Sequence, residues 1–187
     1  MTHKNHEHEG AVRQTWSGEG SCRVLLIGED NPQSSDPEHA LYPLPAGCAG
    51  NRLQSSILMV APATYLGLWR TNLCNPTWSM PAARARACHL MSLNPAPWNT
   101  IVMLGAKVAR AFEYPRPVFT SCRLRLLPDR TVFDLLDLTF SPEPGEFQLV
   151  YLPHPSGRCR SWNDPAAPTK ARMLMRACVP EIGWGAQ

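Results

Sequence analysis

Several polar side chains follow apolar segments of the chain, and their types are those that carry out acid–base chemistry. Glu29, Asp30 and Asn31 come directly after one apolar run. A second apolar run ends just before His154, and Asn72 lies in RTNLC at 70–74, a candidate strand that Asn75-Pro76 closes. Carboxylates position water or stabilise a developing cation, and a histidine stabilises negative charge. An amide donates and accepts hydrogen bonds at once, which suits the reading of a polar ligand edge.

The elements that must position these side chains alternate between buried runs and helical patterns. Strands are predicted at 23–28, 70–74, 100–105 and 147–152, shorter strand-like runs at 118–127 and 132–138, and helices at 49–60, 79–91, 106–113 and 166–178. This alternation predicts an α/β fold, a three-layer α/β/α sandwich with a central, mostly parallel sheet of about four strands. Ligands bind at the carboxyl ends of such strands, so we expect the polar side chains to share one crevice.

Length and composition limit the organisation of the chain. With 187 residues, 44% apolar and 18% charged, it has the composition of one globular domain. Residues 1–21 lack periodicity and are predicted to be a flexible arm, which leaves 22–187 as a single domain. Residues 29–48 are rich in Pro, Asp, Ser and Gly and predict a long loop, and long loops in compact domains are usually functional. We expect no membrane span and no signal peptide.

Charge and cysteine content bear on the partners. The net charge is +3, with residues 1–50 at −4 and residues 51–187 at +7. Fifteen of the 18 basic residues are Arg, the side chain that forks onto phosphates. Seven widely spaced cysteines form no CxxC pair and no compact Cys/His set. We therefore expect no metal and no cofactor.

Short segments of the chain resemble motifs of the uracil-DNA glycosylase superfamily, and the resemblance covers about residues 22 to 178. The segments are IGEDNP at 27–32, GCAGNRL at 47–53, TNLC at 71–74, LGAKVA at 104–109 and HPSG at 154–157. They occur in the order of the family's motifs. The resemblance implies a base-flipping DNA enzyme with its site at the strand ends.

The first motif departs from the family pattern, because three residues rather than two separate Gly28 from the following proline. Counted from Gly28, the catalytic position is Asp30; counted from the proline, it is Asn31, which resembles the mismatch-specific branch. Glu29 would match the iron–sulfur branch, but that branch needs four clustered cysteines, which this chain lacks. All three residues remain candidates.

The resemblance also assigns residues to the base. Asn72 would read the base edge, beside Gly28, and His154 would face the base carbonyl. The aromatic residue expected before the GCAGNRL segment is Pro45 here, and Tyr42 is the nearest substitute for stacking.

The segment after His154 contains the side-chain types that a DNA-binding loop needs. Ser156 and Gly157 can offer backbone N–H groups to a phosphate. Arg158, Arg160 and Trp162 follow, and they would supply a phosphate clamp and a wedge between bases.

These assignments lead to one expected function and two alternatives. The first is a DNA glycosylase, a hydrolase of DNA repair that cleaves the N-glycosidic bond of uracil or a damaged base. The alternative is a bacteriophage enzyme of DNA modification that transfers an amino acid to an activated 5-hydroxymethyluracil in DNA. The second alternative is a non-catalytic DNA-binding protein on the same fold. We expect a monomer in the cytoplasm of a bacterium or a phage-infected host, with DNA as its partner.

Overall fold

The structure is a computed structural model, and it describes residues 22–31, 34, 36–93, 96–114, 116–126, 132–136, 146–182 and 184. The arm predicted at 1–21 and Pro32 of the first motif lie outside the described residues.

Six strands form one sheet in the order β2-β1-β3-β6-β4-β5. Their bounds are β1 Val24–Asp30, β2 Trp69–Cys74, β3 Thr100–Leu104, β4 Thr120–Leu126, β5 Val132–Leu136 and β6 Glu146–Leu152. The first four in spatial order are parallel, while β4 pairs antiparallel with β6, and β5 antiparallel with β4. The expected α/β fold with a mostly parallel sheet is therefore confirmed, and the four strands predicted at 23–28, 70–74, 100–105 and 147–152 form its parallel part.

The helices lie between successive strands of the chain or, in one case, after β6. They are α1 Ala49–Arg52, which continues as a π-helical segment Leu53–Leu58, then α2 Pro62–Leu66, α3 Met80–Ser92, α4 Ala106–Ala111 and α5 Ala167–Cys178. The helix predicted at 49–60 ends at Leu58 because Met59 adopts a left-handed conformation with φ of 55°. The short α2 was not predicted, and it begins with Pro62 in its first turn.

Both faces of β1, β3 and β6 are buried, which explains why these strands read as apolar runs, whereas β2 also buries the polar Arg70, Thr71 and Asn72. Alternate side chains of each strand enter two separate cores. One core contains Ile27 and Met103 and is covered by α3 and α4; the other contains Leu26, Val102 and Val150 and is covered by the α1 segment, α2 and α5. These are the three layers that the sequence predicts. Among the described residues, no helix is long and apolar enough to cross a membrane.

Candidate functional site

A pocket of about 480 Å³ opens at the carboxyl ends of the parallel strands. Its lining brings together seven of the residues singled out in the sequence, from four separate segments of the chain. The lining residues are Gly28, Glu29, Asp30, Asn31, Ser34, His39, Leu41, Tyr42, Leu44, Pro45, Cys48, Ala49, Gly50, Asn72 and His154.

Glu29 is held by a lysine that the sequence analysis did not assign to the site. Its Oε2 lies 3.2 Å from Lys107 Nζ, and only 17% of the Glu29 side chain is exposed. Lys107 belongs to the first turn of α4, and its Nζ lies 5.4 Å from the centre of the Trp78 ring. The ammonium group therefore lies near both a carboxylate and an aromatic face, two partners that stabilise a cation.

Gly105, at the end of β3, lets Glu29 and His154 approach the same stretch of backbone. Its φ is +104°, a region that favours glycine. A Cβ at this position would lie 2.6 Å from Glu29 Oε1 and 3.1 Å from His154 Cβ. The carboxylate and the histidine thus approach the same face of one glycine.

The hydrogen bonding of His154 selects its tautomer. The Ser156 backbone N–H donates to Nδ1 over 3.2 Å, so in the neutral ring the proton is on Nε2. Burial lowers the pKa of His154; Glu29 and Asp30 raise it, and Lys107 lowers it. The net direction is downward, and the neutral ring is an Nε2–H donor.

Two distant side chains fix the backbone around His154. Trp162 Nε1 donates to the His154 carbonyl over 2.8 Å, and Arg52 Nε donates to the Pro155 carbonyl over 3.0 Å. The Trp162 ring also packs edge-on against Phe119, with 5.7 Å between ring centres. Trp162, expected in the sequence as a DNA wedge, is half-buried and in these contacts supports the loop.

Asn72 lies in β2 directly beside Gly28 of β1. The Asn72 side chain occupies the space that a Cβ on residue 28 would need, because that Cβ would overlap Asn72 Oδ1. Its Nδ2 donates to Asn75 Oδ1 over 3.4 Å, and the same oxygen accepts the Asn31 backbone N–H over 3.2 Å. Asn75 thereby joins the ends of β1 and β2, a role that the sequence analysis did not assign to it.

An aromatic wall closes another side of the pocket. Tyr42 is 37% exposed, and the Arg70 guanidinium lies 5.9 Å from its ring centre and 5.7 Å from that of the buried Tyr65. The Tyr65 hydroxyl donates to the Leu41 carbonyl over 2.8 Å. This hydrogen bond anchors the backbone next to Tyr42. Pro45, which follows closely in the sequence, also lines the pocket.

The predicted DNA-binding loop lies beside the pocket rather than in its lining. Ser156 is half-buried, whereas Gly157, Arg158 and Arg160 are exposed. Arg160 begins a short 3-10 helix that ends at Asn163. The exposure of Arg158 and Arg160 leaves both guanidinium groups accessible to a polyanion.

The structure adds three side chains to the site: Lys107, Arg52 and Asn75. Lys107 lies in the segment 104–109 and Arg52 in the segment 47–53. A basic residue within one of these motif-like segments was therefore the sequence feature that could have pointed to them. In the part of the chain that the structure describes, no three His, Cys, Asp or Glu residues are grouped to hold a metal ion. No protein-family model matches the chain, and neither does any curated protein.

Proposed function

We propose that this protein is a DNA glycosylase, which binds a nucleotide rotated out of the helix and hydrolyses the N-glycosidic bond of uracil or a modified base. The observation that carries the proposal is the pocket that combines the Nε2–H of His154, the carboxylates of Glu29 and Asp30 and the amide of Asn72. The resemblance of the strand-end segments to the uracil-DNA glycosylase superfamily supports the same reaction.

The pocket suits a flipped base in size and in lining. Its volume falls within the range of about 300–1,000 Å³ typical of small-molecule sites. The half-exposed Tyr42 ring offers a face for stacking. The amide of Asn72 would pair with a base edge that presents a donor and an acceptor, as uracil does.

Bond cleavage leaves a cation-like sugar and an anionic base, and the site offers a group for each. The Nε2–H of His154 would donate to the base carbonyl as negative charge develops there. A carboxylate of Glu29 or Asp30 would stabilise the sugar cation or orient the attacking water. Both carboxylates remain candidates for this step, as does the Asn31 amide for holding the water.

The exposed loop beside the pocket would bind the DNA backbone. Arg158 and Arg160 are positioned close in sequence to His154, and their charges would neutralise phosphates flanking the flipped nucleotide. The backbone N–H groups of Ser156 and Gly157 would add hydrogen bonds to a phosphate.

A second candidate is the transfer of an amino acid to an activated 5-hydroxymethyluracil in DNA, with the glycosidic bond left intact. The observation that favours it is Pro45, which lines the pocket where the family would place an aromatic ring. A smaller side chain leaves room for a substituent on the base. The amino group of the amino acid would attack the 5-methylene carbon, forming a C–N bond as the bond to the leaving group breaks. The proton of the amine must then pass to a base such as a site carboxylate.

Mass spectrometry of the reaction products distinguishes these functions. The protein is incubated with oligonucleotides containing uracil, 5-hydroxymethyluracil or its activated ester, the last with free amino acids, and the free bases and nucleosides are measured. A released base is the result expected for the glycosylase. A heavier nucleoside that retains its sugar would favour the transferase.

Substitutions then connect the activity to the pocket. We expect His154→Asn, and separately the Asp30→Asn and Glu29→Gln variants, to identify which groups the reaction needs. His89→Asn is the matched control, because His89 is exposed in the last turn of α3 and does not line the pocket. Full turnover in His154→Asn would contradict the proposed site, and DNA binding with neither product would favour the non-catalytic alternative.

A further inference from the structure

We propose that Lys107 is a positioning residue, which fixes the Glu29 carboxylate beside His154 and helps to keep the histidine ring neutral. The inference rests on the proposed function for its catalytic meaning. Its electrostatic part concerns the protein alone and is tested without DNA.

The geometry restrains Lys107 and Glu29 together. Lys107 Nζ lies 3.2 Å from Glu29 Oε2, while Oε1 points toward Gly105. Trp78 provides an aromatic face 5.4 Å from the same ammonium group. A lysine with a single partner on the surface samples many rotamers, but one between a carboxylate and a ring has fewer open to it. Glu29 consequently presents one oxygen to the cation and the other to the side of Gly105 where His154 lies.

The arrangement matters because a carboxylate beside an imidazole attracts a proton onto the ring. The ionisable groups that act on His154 are Glu29 and Asp30 from the end of β1 and Lys107 from α4. Tyr151 of β6 is near enough to Glu29 for that carboxylate to raise the Tyr151 pKa, after the larger effect of burial. Burial is the largest cause of the lowered His154 pKa, and the charge of Lys107 adds to it against the two carboxylates.

The consequence for the reaction is the identity of the hydrogen-bond donor. A neutral Nε2–H donor can stabilise an anion as it forms, whereas an imidazolium would be held in an ion pair with the neighbouring carboxylates or would transfer its proton to the departing base. With Lys107 in place, the site keeps a negative carboxylate for the sugar and a neutral donor for the base. Without it, burial alone would oppose the two carboxylates, and the ring would take up a proton at higher pH.

An NMR titration of the His154 ring in the DNA-free protein tests the electrostatic part. His154 is assigned by the signal lost in His154→Asn. In Lys107→Met we expect the His154 pKa to rise, because a nearby positive charge is removed. Lys107→Arg should bring the His154 pKa back toward the wild-type value. Lys170→Met is the matched control, since Lys170 also pairs with a carboxylate, Asp164, over 2.9 Å, but at the start of α5.

Glu29→Gln provides a test of opposite sign that keeps Lys107. Removal of the carboxylate charge should lower the His154 pKa, so the two variants shift the titration in opposite directions. The pair keeps the inference falsifiable if Lys107→Met folds poorly. An unchanged His154 pKa in the folded Lys107→Met or in Glu29→Gln would overturn the inference, as would a shift of equal size in Lys170→Met.

The catalytic part is read from the pH dependence of turnover. With a DNA substrate, the acidic limb of the kcat profile should move to higher pH in Lys107→Met and return in Lys107→Arg. A titration that shifts as expected in a protein without turnover would refute the proposed function and leave the electrostatic part of the inference intact. Turnover with no movement of the acidic limb would refute the catalytic role of Lys107 and leave the proposed function intact.

Discussion

At the scale of single residues, two glycines control how closely the functional groups approach one another. Gly28 leaves space that the Asn72 side chain fills, and Gly105 leaves space between Glu29 and His154. A Cβ at either position would displace a side chain that lines the pocket. At Gly105 a substitution would also strain the backbone, because φ is positive there. Both glycines end predicted strands, so their positions were visible in the sequence, but the side chains that use the space were not.

The first prediction concerns base selectivity. Gly28→Ala should displace the Asn72 amide and reduce discrimination between bases, because the new Cβ overlaps Asn72 Oδ1. We expect a loss comparable to that in Asn72→Ala, about 1–3 kcal/mol between correct and incorrect base. The measurement is kcat/KM for paired substrates. In the Asn72→Ala background Gly28→Ala should add little, and full additivity would show that the two residues act independently.

The second prediction concerns His154 and the stability of the fold. Burial lowers the His154 pKa below its ordinary value of 6.5, so the unfolded chain binds more protons than the folded one as the pH falls below that value. The stability that the neutral ring contributes is therefore present above 6.5 and is lost as pH falls through the folded-state pKa. The free energy of unfolding, measured with denaturant, should therefore fall less on acidification in His154→Asn than in the wild type. His89→Asn should retain the wild-type slope, and an identical slope in all three proteins would contradict the prediction.

At the scale of elements, the loop at 153–157 depends on α1, which is remote in sequence, and on the 3-10 helix that follows the loop. Arg52 from α1 and Trp162 from the 3-10 helix both donate to carbonyls of this loop. Arg52 Nη1 would also lie 3.4 Å from a Cβ at Gly157. The direction of the His154 ring is thus set by elements on both sides of the loop.

The third prediction tests this bracing. Arg52→Met removes the donor to Pro155 and keeps the aliphatic stem, so we expect faster hydrogen exchange at residues 154–158. Loss of one such bond, worth about 0.5–1.5 kcal/mol, corresponds to up to about a tenfold increase in the exchange rate. Turnover should fall while the free energy of unfolding changes little. Arg172→Met is the matched control, because Arg172 donates to the Ile57 carbonyl instead, and equal exchange at 154–158 in both variants would contradict the bracing.

The elements also differ in how well the sequence predicts them. The strands β1, β3 and β6 are buried on both faces, so their apolar runs were sufficient to predict them, whereas β2 mixes polar and apolar residues. The short α2 was not predicted, nor was the π-helical form of Leu53–Leu58 within the helix predicted at 49–60, since both depend on tertiary packing around Tyr65 and Ile57 rather than on a long periodic pattern. The sequence did predict that the polar side chains share one pocket, because parallel strands place their carboxyl ends at the same edge of the sheet. The contacts of Arg52 and Lys107 with distant segments depend on side-chain geometry, which a periodic pattern does not encode.

At the scale of the whole molecule, the positive charge is unevenly placed along the sequence, and exposed arginines lie at both ends of the sheet. Residues 51–187 carry the positive excess, and the exposed Arg158 and Arg160 follow the strand end at the pocket. Arg23, also exposed, precedes β1 and therefore lies at the opposite end of that strand. This separation provides a comparison between cations of the same type at the two ends of one sheet.

The fourth prediction is that DNA affinity falls steeply with salt and that the pocket end of the sheet accounts for it. Each phosphate neutralised contributes about 0.9 to the slope of log K against log salt on duplex DNA. Arg158→Ala and Arg160→Ala should each weaken binding and reduce that slope by about 1, while circular dichroism and thermal unfolding stay unchanged. Arg23→Ala should leave both affinity and slope as they are, because its charge is at the far end of β1. Fluorescence anisotropy with labelled duplex and single-stranded oligonucleotides over a salt series measures all three variants. Equal losses in the three would assign binding to overall charge, and wild-type slopes in both loop variants would exclude the loop from the DNA interface.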